Sequence, residues 1–347
     1  MESRTRKIAI GLLSSLLALL IIAAGLTIYF MYSRIEYLSD NPWKAFETAG
    51  CAPKQLPDFG GDDIGPSPTG PSIEMPPGVM NILLAGIDTS EEREAEYKGY
   101  RCDMMMVLSV DFTKKTAKIL AIPRDTRFLI TKLDKNGKVV KRVYDRMNTA
   151  MGKYGGGPDR FGYENTMYCI SKFLGCNGKY DIPINYYVGL DMDGLNPLAD
   201  AVGGVPVTLE ADFPYVGKKG ETVILTGEKV HFYVRWRKPS QTGEHSGDIG
   251  RGRRQQLFML GLAKQIKKMG PLAALPALFD TLNKYMKTNL DLDRIAALAL
   301  VLNGLDLESI QLDSVAGHNQ SFDGASMWVA DPEKLDEQVR EMFINVY

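Results

Sequence analysis

The chain has 347 residues, 45% of them hydrophobic, with 41 Lys and Arg against 42 Asp and Glu. That is enough apolar material to bury a large core in one or two domains, and a formal net charge of −1 gives no global field for nucleic acid, so any bound anion must be held by locally clustered Arg. Four Cys exclude a dense disulfide framework, and without C-x-x-C spacing, and with His231, His245 and His318 scattered, a metal quartet is not expected.

In chain order, no charged residue occurs from Ile8 to Ser33, a run long enough to cross a bilayer as a helix. Arg4, Arg6 and Lys7 precede it, which puts residues 1–7 in the cytoplasm and everything after about residue 34 outside. The run exceeds the apolar region of a signal peptide and no small-x-small site closes it, so a single-pass anchor over 8–33 is expected in place of a cleaved leader. Residues 34–78 are rich in Pro, Gly and Asp and lack periodicity. They read as a spacer holding the rest off the membrane, with compact structure expected from Val79.

Three apolar runs follow, and each meets charge at one end. Asn81 to Ala85 leads into Gly86-Ile87-Asp88, Asp103 opens Met104 to Val110, and Ala117 to Ile122 leads into Pro123-Arg124-Asp125. Such runs read as strands buried in a sheet. Buried strands do not end cheaply in unpaired Asp and Arg, so neighbouring charged ends suggest a polar site at the sheet's rim; ordinary strand-to-loop exits are the alternative. The acidic segment between Asp88 and Arg101 reads as solvated surface, and Cys102 falls within the candidate site. Gly155-Gly156-Gly157-Pro158 reads as a turn, since no Gly-Lys-Ser/Thr follows to make a phosphate loop.

Asn165 to Leu174 has helical spacing, with Gly175 as its stop, and a Cys169–Cys176 disulfide is a possibility because that glycine lets the chain fold back. Tyr186 to Leu190 reads as a strand, Asp193 to Val202 as a helix and Val205 to Leu209 as a strand. This alternation argues an α/β layered domain.

Val230 to Arg237 alternates as a strand, putting Arg235 and Arg237 on one face. Two guanidinia side by side repel unless an anion lies between them, and Arg forks match phosphate oxygens. On a helix beginning near Arg251, residues Arg251, Arg254, Gln255, Phe258 and Leu262 share a stripe, polar at its start and apolar beyond. A phosphate head and a hydrocarbon tail suit that stripe. Residues 271–347 read as three helices (Leu272–Met286, Leu292–Asn303, Pro332–Ile344) and two short strands (Ile310–Val315, Met327–Ala330), completing the same layers.

Together, Asn81 to Asp88, Arg101-Cys102-Asp103, Ile122-Pro-Arg124-Asp125, Met147-Asn148 before the glycines, Tyr233-Val-Arg235-Trp-Arg237 and Asp248-x-x-Arg251-x-x-Arg254-Gln255-Gln256 resemble the LytR-CpsA-Psr family, with all blocks in order over about residues 79–270. The sequence departs from the family pattern at Cys102, where Ser is usual, and at Cys176 to Asp181.

The resemblance implies a single layered extracellular domain over 79–347, with a central, mostly buried mixed sheet flanked by helices and one transmembrane helix before it. It also implies an activity. Such proteins are membrane-anchored phosphotransferases of Gram-positive envelopes that move a glycopolymer, teichoic acid or capsular polysaccharide, from a polyprenyl pyrophosphate carrier to peptidoglycan through a phosphodiester. Asp88 and Asp103 would then hold Mg²⁺ (or Mn²⁺) together with pyrophosphate oxygens. Arg101, Arg124, Arg235, Arg237, Arg251 and Arg254 would neutralise phosphate charge, Gln255 would donate a hydrogen bond, and Asp248 would orient one of the arginines. The general base stays open among Asp88, Asp103, Asp125 and water. A hydrolase of the same lipid pyrophosphate and a non-catalytic envelope-binding protein are the alternatives.

Overall fold

The computed structural model describes residues 33–47, 73–88, 100–236 and 247–344. The expected anchor up to residue 32, most of the spacer, Cys51 and Arg237 lie outside the described residues. Among the described residues no helix is long and apolar enough to cross a membrane.

Strand β1 (Val79–Asp88) is apolar on both faces because both are covered. Leu83, Ala85 and Ile87 enter one core, while Ile82 and Leu84 enter the core on the other side. With β2 (Arg101–Asp111), β3 (Thr116–Ala121), β4 (Tyr186–Asp191), β5 (Met286–Thr288) and β6 (Gln311–Ser314) it forms a six-stranded sheet in the order β5-β4-β1-β2-β3-β6. The sheet is mixed: β4 runs parallel to β1 and β6 parallel to β3, while β2 runs antiparallel to both of its neighbours, β1 and β3. The carboxyl ends of β1, β3, β4 and β6 and the start of β2 therefore meet at one rim.

One face of the sheet is covered by α1 (Gly162–Leu174) through Met167, Ile170 and Phe173. A Cβ on Gly189 of β4 would stand 2.0 Å from the Tyr163 hydroxyl. The bare glycine lets that ring lie flat on the strand, stacked 4.0 Å from Tyr187. The other face carries α3 (Gly247–Met269) and α5 (Leu292–Gly304). A third cluster joins α2 (Glu228–Arg235), α3 and α4 (Pro271–Tyr285) to the hairpin of Val205–Thr208 and Thr222–Leu225.

Several expectations are corrected. Val230 to Arg235 is helical, because Val230, Tyr233 and Val234 also stand at i, i+3, i+4, and burial of that set in the third cluster decides between two periodicities the sequence carries together. Compact structure begins well before Val79: Leu38 and Ala45 bury against Ala297 of α5, Trp43 and Phe46 pack edge-on against Phe112, and Arg34 forks onto Asp293. That part of the spacer is docked. Cys169 and Cys176 are free thiols. Cys169 faces the core beside Asn165 within α1, whereas Cys176 lies past the helix end at a φ of 47°. The hairpins of Arg127–Leu133 with Val139–Arg146 and Gly317–Phe322 with Ala325–Ala330 complete the fold. Arg127–Leu133 and Gly317–Phe322 were not foreseen, the latter being too polar for a buried-strand signal, whereas Ala325–Ala330 contains the strand expected at Met327–Ala330.

Candidate active site

The rim is built from strand ends. Asp88 closes β1 and pairs in the ladder with Arg101 at the start of β2. The next rung joins Ile87 to Cys102 and the one after joins Gly86 to Met104, leaving Asp103 as the extra residue of a β-bulge. Bulges re-aim a side chain without breaking the sheet. Here the bulge delivers the Asp103 carboxylate to Arg124, at 2.8 Å, just beyond the end of β3.

Arg124 is the hub. Its Nε also lies 3.3 Å from Asp248 and 3.7 Å from Asp125. Burial works against its charge, but Asp103, then Asp248 and Asp125, more than offset that and hold the guanidinium above its usual range. Burial likewise pushes the Asp125 carboxyl up; Arg124 pulls it down, while a hydrogen bond with Asp248 and that residue's charge add to the rise. Asp125 also faces Arg146 at 3.5 Å.

The second half comes from helices. Gly247 has φ +70° and opens α3. Its first turn presents Asp248, which pairs with Arg251 at 2.9 Å. Arg251 is buried, and with Asp103, Arg124, Asp248 and Gln255 it lines a small cavity beside Ser314 of β6. Helix α2 stops at Arg235, which reaches Asp88 at 3.8 Å and Asp193 at 3.3 Å. The anionic partners of Arg235 here are the protein's own carboxylates.

Not every residue on the α3 stripe faces that cavity. Arg254 donates to the carbonyls of Tyr233 and Trp236, and Gln255 to that of Val234. These are the carbonyls that the end of α2 leaves without helical partners, so Arg254 is a buried clamp on that helix terminus. Burial draws its pKa down to about 10. Phe258 and Leu262 are closed into the third core cluster, which corrects their assignment to a substrate tail. Sequence reasoning missed Asp193, Arg146 and Gln256. The last donates to the Ile119 and Asp313 carbonyls and fastens α3 to strands β3 and β6. No spacing marks Asp193 or Arg146, since each joins the rim only through tertiary packing.

Asp88 and Asp103 offer hard carboxylate oxygens on adjacent strands. Among the described residues no group of three His, Cys, Asp or Glu is placed to hold a metal. A two-carboxylate set fits an ion that takes its remaining ligands from water and phosphate, as Mg²⁺ prefers.

The family model described as LytR_cpsA_psr matches residues 68–344. A polyisoprenyl-teichoic acid–peptidoglycan teichoic acid transferase, TagU of Halalkalibacterium halodurans, is 30% identical over 289 residues, covering 82% of this chain and 80% of that protein. The like-named TagV of Bacillus subtilis is 28% identical over 280 residues, 78% of this chain and 65% of the relative's length. The crystal structure of B. subtilis TagV superposes with a TM-score of 0.59 at 25% identity, over 77% of this chain and 98% of that one.

Proposed function

The chain belongs to the LytR-CpsA-Psr family, and from that premise we propose that it is a phosphotransferase moving a glycopolymer of the teichoic acid class from a polyprenyl pyrophosphate carrier to peptidoglycan. The observation that carries this reading is the contact between Arg235 and Asp88, which unites the strand-end half of the rim with the helical half.

In the reaction an acceptor hydroxyl oxygen attacks the phosphorus nearer the glycopolymer. The bond from that phosphorus to the bridging oxygen breaks, and polyprenyl phosphate leaves with the electron pair. Arg124, Arg235 and Arg251 bind the phosphate oxygens and follow their charge as it shifts, and their present carboxylate partners keep each fork oriented before substrate arrives. The acceptor proton passes to the neighbouring carboxylates Asp125 and Asp248, where burial raises the proton affinity of Asp125. Mg²⁺ or Mn²⁺ held by Asp88 and Asp103 would add neutralisation of the pyrophosphate. The uncharged run from Ile8 to Ser33 supports a single-pass anchor with the domain outside the cell.

The test incubates the full chain with a lipid-pyrophosphate-linked saccharide and peptidoglycan fragments. Saccharide should appear on peptidoglycan through a phosphodiester. Release of phosphorylated saccharide to water without transfer would instead make the protein a hydrolase, and no turnover under any divalent ion would make it a binding protein.

A further inference from the structure

The outer side of α4 is apolar, and among the described residues nothing covers it. No charged residue occurs from 271 to 279, yet Leu275 is 37% and Phe279 65% exposed. Helix α4 packs on α5, whose first residue, Leu292, is 83% exposed. Exposed apolar side chains on two helices that pack together mark a contact surface.

What covers it follows from where the chain comes in. The uncharged run ends at Ser33, and the next residue, Arg34, forks onto Asp293 of α5, at 2.7 Å from Nη2. One turn on, Leu38 is buried against Ala297. From the first charged residue after that run the chain is therefore fastened to the domain, beside Leu292. Tyr37 stands there 46% exposed, with the Arg34 and Lys44 cations over its ring. A tyrosine with basic side chains next to exposed leucine is the composition of a membrane–water interface.

We propose that the outer face of α4, with Leu292 and Tyr37, seats the domain on the lipid bilayer, the apolar side chains reaching into the acyl boundary. The proposal rests on the anchor reading above. It gives the seat a route to the phosphate site, because Tyr285 at the end of α4 packs on Gly194, where an added Cβ would stand 2.5 Å away, and the neighbouring Asp193 holds Arg235. A lipid-linked substrate then meets a site held at fixed height and orientation over the bilayer.

The experiment reconstitutes the full chain in phosphatidylglycerol and phosphatidylethanolamine vesicles. Phe279→Cys and Leu292→Cys carry an environment-sensitive dye, with Asn136→Cys as reference and the parent chain's labelling subtracted. Asn136 lies at an exposed hairpin tip whose Ile130 packs on the opposite face of the sheet. All three sites are exposed, so folding is not at stake. Acyl-brominated lipid should quench the dye at 279 and 292 several-fold more than at 136. Equal quenching at all three, in a chain that resists alkaline carbonate extraction, would overturn the seat and leave the anchor standing. Unquenched dyes with crosslinked dimers would assign the face to a second copy. Extraction of the chain by carbonate would overturn anchor and seat together.

Discussion

Arg235 and Asp88, 147 positions apart, meet at 3.8 Å where the C-terminal end of a helix overhangs the end of the first sheet strand. The same guanidinium spans to Asp193, so its fork is oriented before any phosphate arrives. Lysine keeps the charge but not the two-pronged geometry. Arg235→Lys should therefore lower transfer tens- to hundredfold, about 2–3 kcal/mol for a charge-assisted hydrogen bond in a transfer site. Lys218→Ala, in an exposed loop where Lys218 pairs with Asp212, should transfer at the parent rate. Parent-rate transfer by both Arg235→Lys and Arg251→Ala would remove these arginines from the phosphate grip.

The sheet strands that carry Asp88, Asp103 and Arg124 were legible because a strand buried on both faces writes a continuous apolar run, and charge at its end is conspicuous. Val230 to Arg235 was not, since its residues satisfy period 2 and period 3.6 alike and only packing against α3 decides. Arg254 and Gln255 were visible as a polar stripe, but which carbonyls they serve depends on where α2 ends. Phe258 and Leu262 were read as a substrate surface because sequence shows which side of a helix is apolar and not what lies against it. The docking of Leu38 and Ala45 was hidden because the Pro and Gly that follow from Gly50 set the composition of the whole stretch to residue 78.

Arg254 holds α2 by its terminal carbonyls, so its removal should act on stability before chemistry. Arg254→Met leaves those buried acceptors without a donor, a loss of about 1–3 kcal/mol for each group left unpaired. Urea denaturation should show the midpoint falling with an unchanged slope. A midpoint equal to the parent's would mean that Arg254 is no clamp.

Gly189→Ala tests the layer contact beneath the rim. The new methyl would overlap Tyr163, whose ring also stacks on Tyr187, and overpacking of this kind costs about 1–3 kcal/mol. Thermal unfolding should move down by several degrees. Gly189→Ala combined with Tyr163→Phe, which removes the closest atom, should recover part of it.

Asp125 gives a pH signature. Its carboxyl is held above the usual range by burial and by Asp248. For a group whose folded pKa is raised, the stabilising contribution is full below the unfolded pKa and is lost as pH rises through the folded one. Asp125→Asn has no such group to ionise. The difference in Tm, variant minus parent, should thus grow more positive from about pH 4 to pH 7, the ordinary carboxylate range and above. A difference that falls over that interval would show that Arg124 and Arg146 stabilise the Asp125 carboxylate more than burial opposes it. The same variant should lower transfer while leaving donor binding near the parent's, if the pair takes the acceptor proton.

The metal expectation turns on Asp103, which the β-bulge aims at the rim while Arg124 engages one of its oxygens. Arginines alone neutralise a pyrophosphate but do not fix two linked phosphates for in-line attack, whereas a divalent ion shared between carboxylates and phosphate does both. Chelation should accordingly lower turnover, and added Mg²⁺ or Mn²⁺ should restore it. Binding can be followed apart from activity, because an ion that binds only the folded protein raises Tm with its concentration. Mn²⁺, with the donor analogue present, should raise the parent's Tm and leave that of Asp88→Ala and Asp103→Ala unmoved. Asp103→Ala also strips Arg124 of its nearest partner, so its transfer should fall further than that of Asp88→Ala under saturating metal. Undiminished transfer by both variants in metal-free buffer would leave the rim as an arginine site without a cation.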